Sequence, residues 1–320
     1  MASWIRTGRA PGWTAIAAEA DGIYGVSIST PKLPTDRPSV IGCGFVAGGQ
    51  LDVESLTALS KQISVSGYPW ALTLNREDYN ILVVAEPSVK QDELDQAVRW
   101  GISTMLNYPA SEADIAWMKI PSHPSQPNRP PHLYVAAAKH EQVVLCTDIF
   151  KKTKLSLQAI DIRETAYRNI AALVERPGEG VALLSIGALG VQFTVTFQGE
   201  LYLDRYVKET ILNADMDELA RERASERVVL QVQRSLDFVS RSLPFIDLNR
   251  VWLAPMQSDP GLRTYFEQNL PVPFEDIDLA TAFDFSKTPD LLQPEIQAGY
   301  IVALGAALRF KNQSLVDRPL

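Results

Sequence analysis

The residues with the clearest potential for chemistry are a pair of glycines between two apolar runs, within residues 181–191. Their sequence, VALLSIGALGV, predicts a strand, a tight turn at Gly187 and Gly190, and a second strand. The backbone of such a turn can approach a phosphate closely because glycine has no Cβ. A magnesium phosphate would also need a carboxylate to hold the hydrated ion. The first run ends at Ser185 and Ile186, and residues 181–191 contain no carboxylate, so we expect a phosphate-type turn without a metal-ordering group.

Other motifs that carry chemistry are weak or absent. The sequence has no Walker A pattern, nucleophile elbow, dinucleotide fingerprint, CxxC or HExxH, and its three histidines argue against a metal site. The glycines within 42–49 lack the Lys-Ser/Thr ending of a phosphate loop and are interpreted as a strand end. Glu19 and Asp21 could be paired carboxylates, or simply a solvated hairpin turn. Cys43 and Cys146 stand in apolar contexts that predict buried free thiols.

The composition is that of a globular protein with a sizeable core. The 320 residues are 46% hydrophobic and 21% charged, which argues against extensive disorder. The net charge of −8 and the absence of a basic block argue against nucleic acid as a partner. The N-terminus lacks a signal-peptide pattern, and no apolar run reaches the ~20 residues of a membrane span. We therefore expect a soluble, cytoplasmic protein that meets a membrane only through partners.

Alternating strand and helix patterns predict an α/β protein whose turns position these residues. Two strands at 13–18 and 23–28 predict an N-terminal hairpin. Apolar residues at helical spacing predict helices over 53–63 and 91–106, and Asp259 with Pro260 predicts the start of a helix through 270. The second half opens with three strands within 181–207, followed by a long helix at 216–243. Five prolines within 121–131 predict an exposed loop. Both halves thus begin with a strand meander, which suggests a duplicated domain, although periodicity alone leaves a doubly wound Rossmann-like sheet as a competitor.

Several short segments carry a family resemblance. They lie in order within residues 81–310 and are LDQAVRW (94–100), YP (108–109), ADIAW (113–117), LQAIDIRE (157–164), RN (168–169), GELYLDR (199–205), QVQRSLDF (231–238) and GAALR (305–309). The ordered set resembles the PilM family, the cytoplasmic actin-like proteins of type IV pilus assembly. Within that family it most resembles the MshI branch, which serves mannose-sensitive haemagglutinin (MSHA) pili.

The resemblance implies a fold and a domain division. The fold would be an actin-like two-domain clamp of the ribonuclease H-like, Hsp70 type, with four subdomains and an inserted 1C-like subdomain. Domain I would cover residues 1–178, with the insertion at about 87–157, and would include a C-terminal helix at 293–310. Domain II would cover 179–292, and 311–320 would be a tail.

The sequence departs from the family pattern at all three nucleotide motifs. The family's first hairpin carries Asp-x-Gly, where this chain has Ala18 or Glu19 and then Ala20; the second carries the same motif, where this chain has Ser185 and Gly187. A strand ending in Gly-Gly approaches the adenosine, and here Pro255 and its neighbours replace it. We therefore expect a degenerate nucleotide cleft formed by Glu19, Ser185, Gly187, Gly190 and Pro255, with no catalytic residue and no metal ligand. No cofactor is expected.

The function implied by the resemblance is that of an assembly scaffold at the inner membrane. It would bind the cytoplasmic N-terminal tail of a PilN-like membrane protein on domain I, with Trp100, Trp117 and Ile120 as candidate contacts. Arg205 and Arg234 match family positions and could tie domain II to the cleft. Unless they do so, we expect both to make only structural hydrogen bonds. The alternative is an active actin-like ATPase that binds Mg-ATP. A Rossmann-type enzyme would need the missing cofactor fingerprint.

Overall fold

Strands and helices alternate throughout the described part of the chain. A computed structural model describes residues 12–31, 33, 36–48, 50–211, 217–256 and 260–311. The strands are β1 Gly12–Ala18, β2 Gly22–Ser29, β3 Ser39–Ala47, β4 Trp70–Thr73, β5 Tyr79–Ala85, β6 Ala113–Ile120, β7 His132–Lys139, β8 Leu157–Asp161, β9 Val181–Gly187, β10 Gly190–Phe197, β11 Glu200–Val207, β12 Val251–Leu253 and β13 Phe274–Asp276. The α-helices are α1 Val53–Ile63, α2 Leu94–Gly101, α3 His140–Thr153, α4 Arg163–Val174, α5 Glu218–Ser242, α6 Pro260–Asn269, α7 Leu279–Ala282 and α8 Pro294–Ala307.

Two five-stranded sheets share one topology. The first has the order β3-β2-β1-β4-β8 and the second the order β11-β10-β9-β12-β13. In each, three consecutive strands pair antiparallel and the next two pair parallel. The second half of the described chain therefore repeats the architecture of the first. This repeat confirms the predicted duplication and excludes a single doubly wound sheet.

Helices α4 and α8 pack against each other between the two large sheets. The backbones approach so closely that a Cβ on Gly305 of α8 would lie 2.2 Å from the carbonyl oxygen of Ala166 in α4. Asn169 Nδ2 donates to the carbonyl oxygen of Gly305 at 2.9 Å. A single buried cluster joins these helices to apolar residues of both sheets. The small residues of α8 thus allow a compact contact between the two halves.

A small third sheet has the order β5-β7-β6 and is entirely antiparallel. One face packs on α2 through Leu94, Val98 and Ile102. On the other face, Ile120 and Tyr134 join the apolar cluster of the second large sheet. The small sheet takes its first strand from residues 79–85, ahead of the expected insertion start at 87. The domain boundaries remain a prediction.

The proline-rich segment 121–131 is not wholly exposed, contrary to expectation. The His123 ring stacks on Phe245, with 4.0 Å between ring centroids and 2° between planes. Gln126 Nε2 donates to the carbonyl oxygen of Ser242 at 3.0 Å. The segment therefore lies against the second half, because its aromatic and amide groups find partners there.

Several sequence predictions need adjustment at element ends. The helix predicted over 91–106 consists of a short 3₁₀ turn followed by α2, which ends at Gly101, and α7 was not predicted. Some predicted features lie outside the described residues, namely the helix starts at Met216 and Asp259, Gly49 of the glycine cluster, and the tail beyond 311.

Both cysteines are free, with Cys146 buried and Cys43 only half-buried. Within the described ranges, no helix is long and apolar enough to cross a membrane.

Candidate functional site

The residues predicted to form a nucleotide cleft lie at the carboxyl ends of central strands in both large sheets. Glu19 directly follows β1, and Ser185 and Gly187 stand at the end of β9. Gly190 begins β10 across the turn. Pro255 follows Ala254, whose N–H donates to the carbonyl oxygen of Leu184 in β9 at 2.9 Å.

Two side chains from the first turns of α4 connect the two hairpins. Arg163 Nη1 lies 2.9 Å from Glu19 Oε1, and Arg163 Nη2 donates to the Tyr167 hydroxyl at 3.2 Å. Ser185 Oγ donates to the same Tyr167 hydroxyl at 3.0 Å. Arg163 and Tyr167 are four residues apart and therefore share one face of the helix. We call the chain Glu19–Arg163–Tyr167–Ser185 the Arg163 bridge.

The Arg163 bridge places a positive charge between the two turns. Burial opposes ionisation of the guanidinium, but the neighbouring Tyr167 and Glu19 outweigh it and raise the pKa of Arg163. A magnesium ion would be repelled by this charge, and Glu19 is already paired with it. No group of three or more potential metal ligands occurs among the described side chains. The geometry suits a closed internal contact better than a magnesium phosphate.

A second polar cluster lies beside the bridge. The Tyr79 hydroxyl donates to Glu164 Oε2 at 2.6 Å, and Arg76 Nε lies 3.4 Å from Glu164 Oε1. The Arg76 guanidinium also stacks over the rings of Tyr79 and Tyr206, at 5.1 and 4.9 Å from their centroids. Burial raises the pKa of the Glu164 carboxyl, while Tyr79 and Arg76 oppose that rise. This cluster holds the β4–β5 turn, α4 and β11 together.

Asp204 of β11 carries a partly buried carboxyl on the same side of the second sheet. Gln192 Nε2 donates to it from β10. Burial, followed by the charge of Glu164, raises the pKa of Asp204 well above its usual range, and Arg76 opposes the rise. Sequence reasoning missed Arg76, Glu164 and Asp204, which have no local motif.

The glycine turn has a structural explanation. Gly190 has a φ of +154°, and a Cβ there would lie 2.6 Å from the Tyr206 hydroxyl. That hydroxyl donates to the carbonyl oxygen of Leu189 at 2.6 Å and closes the turn. Around Gly187 the nearest atom to an added Cβ is the Gly190 oxygen at 3.7 Å. Gly190 is thus needed for packing against Tyr206.

Pro255, at the third predicted cleft position, has no N–H and can donate no backbone hydrogen bond to a ligand.

The three candidate partner contacts differ in accessibility. Trp100, at the end of α2, is 83% exposed. Trp117 is held by a hydrogen bond from its Nε1 to Asp95 Oδ1 at 2.7 Å. Ile120 is only 8% exposed and packs within the cluster of the second sheet, so its burial argues against direct contact with a partner. Of the three, Trp100 is the side chain open to a large apolar contact.

Comparison with known proteins gives a structural result only. No family model matches the chain, and no curated protein matches it in sequence. A chain of a PilM-PilN type IV pilus biogenesis complex matches with a TM-score of 0.74 and 17% identity, covering 94% of this chain and 99% of that one.

Two other solved structures match with lower scores. The cytoplasmic domain of EpsL, an inner membrane component of the type II secretion system of Vibrio cholerae, has a TM-score of 0.49 at 12% identity, covering 80% and 93% of the two chains. A Bacteroides thetaiotaomicron protein with an actin-like ATPase fold and unknown function has a TM-score of 0.47 at 10% identity, covering 91% and 99%. This chain therefore has the actin-like ATPase α/β fold with two mixed sheets and is structurally similar to PilM.

Proposed function

We propose that this protein is a cytoplasmic, non-enzymatic scaffold of an inner-membrane platform, in a type IV pilus of the MSHA kind or a related secretion system. It would bind the cytoplasmic tail of a PilN-like membrane protein and reach the membrane through that partner. Support comes from the fold, which matches a chain of a PilM-PilN complex over 94% of the present chain. The ordered MshI-like sequence segments give the finer pilus assignment.

The observation that carries the non-enzymatic part of the proposal is the Arg163 bridge. An actin-like nucleotide site needs glycine backbone and carboxylate-held magnesium at two facing turns. Here the same two turns are joined by Glu19, Arg163, Tyr167 and Ser185. An active ATPase would require this contact to open before a nucleotide could enter.

The proposed contact surface lies on the small sheet's helix α2 and the turn after it. Trp100 is 83% exposed and Met105 is 48% exposed. A turn joins them, since Ser103 N–H donates to Trp100 O and Met105 N–H donates to Ile102 O. Tryptophan is enriched among the residues that dominate binding energy at protein interfaces. We call Trp100 and Met105 the Trp100 surface and propose that it contributes to binding the tail.

The test is a calorimetric titration of the folded chain with the N-terminal peptide of the PilN-like protein from the same genome, against a scrambled peptide. We expect specific binding that weakens about 30-fold in Trp100→Ala, as loss of a dominant contact worth about 2 kcal/mol predicts. Leu219→Ala removes a side chain that is 56% exposed elsewhere and should bind normally. Absence of binding by the folded wild type would overturn the scaffold proposal. Unchanged binding by Trp100→Ala would overturn only the Trp100 surface.

A further inference from the structure

A cationic cavity lies between β11 and α5 in the second half of the chain. Its volume is about 470 Å³, within the range of ligand pockets. Three of its seven lining residues are cationic, namely Arg205, Lys208 and Arg234, and the others include Tyr206, Gln231 and Ser235. Such a concentration of positive charge is unexpected in a chain whose net charge is −8.

Arg205 and the Arg163 bridge lie on opposite faces of the second sheet. Arg205 pairs in register with Phe193, whose ring belongs to the apolar cluster that includes Val228 and Val232 of α5. Side chains alternate along a strand, so Arg205 points to the α5 side while the preceding Asp204 points to the α4 side. The arginines of the cavity therefore do not belong to the Arg163 bridge, although the cavity lining also includes Tyr206, whose hydroxyl closes the Gly187–Gly190 turn.

Two of the three cations form no ion pair within the described part of the chain. Neither the Arg205 nor the Arg234 guanidinium donates a hydrogen bond to a described residue or lies within 4 Å of a described carboxylate, although the charge of Arg205 acts on Asp204. The structural hydrogen-bonding role predicted for them from sequence is thus not seen. Lys208 is paired, because its Nζ lies 2.7 Å from Glu77 Oε1 in the β4–β5 turn.

We propose that this cavity binds a small soluble anion of the oligophosphate class without magnesium. Arginine offers planar, forked donors that match phosphate oxygens, and lysine adds a compact charge. Arg205 and Arg234 provide two such forks with no internal acceptor, and the cavity contains no carboxylate among its lining residues. No glycine turn or metal takes part in this recognition.

The experiment is a titration of the full chain with tripolyphosphate in EDTA, by calorimetry and thermal melting, with KCl at matched ionic strength as reference. We expect saturable binding to the wild type. Arg205→Gln and Arg234→Gln should each weaken it by about ten-fold or more, as loss of a charge-assisted contact predicts. Arg241→Gln is the matched control, because Arg241 lies two turns further along α5, is exposed and does not line the cavity.

Three results would overturn the proposal. One is a response to tripolyphosphate no greater than that to KCl. Another is unchanged binding by both cavity variants, with circular dichroism showing that they are folded. The third is binding of Mg-ATP in the absence of tripolyphosphate binding, which would indicate nucleotide recognition instead. None of these outcomes affects the peptide titration, which tests the scaffold proposal independently.

Discussion

The Arg163 bridge makes a quantitative prediction about Glu19. The substitution Glu19→Gln keeps the size of the side chain and removes the negative charge that faces the Arg163 guanidinium. Arg163 would retain a weaker acceptor and the Tyr167 hydroxyl. We expect the folded state to lose stability because a largely buried cation loses its counter-charge.

The magnitude follows from the distance and the burial. At 2.9 Å, with an effective dielectric constant of about 20, the attraction between two unit charges is about 6 kcal/mol before desolvation is subtracted. Loss of one partner costs about 3–5 kcal/mol for a buried pair, whereas an exposed pair contributes about 0–1 kcal/mol. The side chains of Arg163 and Glu19 are 14% and 18% exposed, between these cases. We therefore expect Glu19→Gln to lower the free energy of unfolding by about 2 kcal/mol and Tm by about 4 °C.

The assay is urea unfolding at pH 7, followed by tryptophan fluorescence, for the wild type, Glu19→Gln, Arg163→Met and the double variant. A double-mutant cycle isolates the pairwise term, which we expect to be about 2 kcal/mol. Asp148→Asn is the control, since Asp148 pairs with Lys151 on an exposed helix surface and should change stability by about 0.5 kcal/mol or less. A pairwise term below about 0.5 kcal/mol, or a loss in Glu19→Gln equal to that of the control, would refute the reasoning.

Three further predictions concern the cleft and its surroundings. Millimolar Mg-ATP should leave Tm unchanged in the Arg205→Gln, Arg234→Gln double variant, which lacks the proposed anion donors, whereas a ligand at 100 times its Kd would add about 2.7 kcal/mol to the free energy of unfolding. A clear upward shift in that variant would favour the ATPase alternative. Burial raises the folded-state pKa of Asp204, so the native state holds a proton that the unfolded state loses above about pH 4, and the contribution of Asp204 to stability should fall as pH rises from there. Asp204→Asn removes that proton uptake, so in urea unfolding its stability relative to wild type should improve from pH 5 to pH 8; the opposite trend would contradict the burial argument. Gly190→Ala should lower the free energy of unfolding by at least about 1 kcal/mol, because the new Cβ would clash with Tyr206 and the φ of Gly190 is +154°. Gly187→Ala should have a Tm near that of the wild type, because an added Cβ there meets no close atom. Equal Tm values for the two variants would contradict this explanation of the turn.

Sequence patterns were sufficient for elements whose stabilising contacts are local. Helix α1 spans the predicted residues, and its apolar positions Leu56, Leu59 and Ile63 are all buried. The strands around the Gly187–Gly190 turn also lie where the apolar runs and the glycines predicted them. Such features depend on periodicity and turn chemistry within a few residues. The family resemblance added the actin-like arrangement, which the structural match to PilM supports.

Contacts across the fold were not accessible from the sequence. Arg163 and Glu19 are 144 residues apart, and nothing in the spacing of Arg163 and Tyr167 indicates which residues their helix face meets. Ile120 stands in an alternating strand that looked available to a partner, but the second sheet covers it. The proline-rich segment likewise gains its contacts from Phe245 and Ser242.

The sequence by itself determined that neither phosphate-type turn carries the Asp-x-Gly pattern, since this depends only on which residues follow each strand. Only the tertiary structure decided what occupies the space between the turns. Packing α4 between the sheets brings Arg163 to Glu19 and Tyr167 to Ser185. It also leaves Arg205 and Arg234 with no ion pair to any described residue, at the cavity between β11 and α5. The physical reason is that charge pairing and burial depend on distances in space, which the packing of α4 and α5 against the sheets sets.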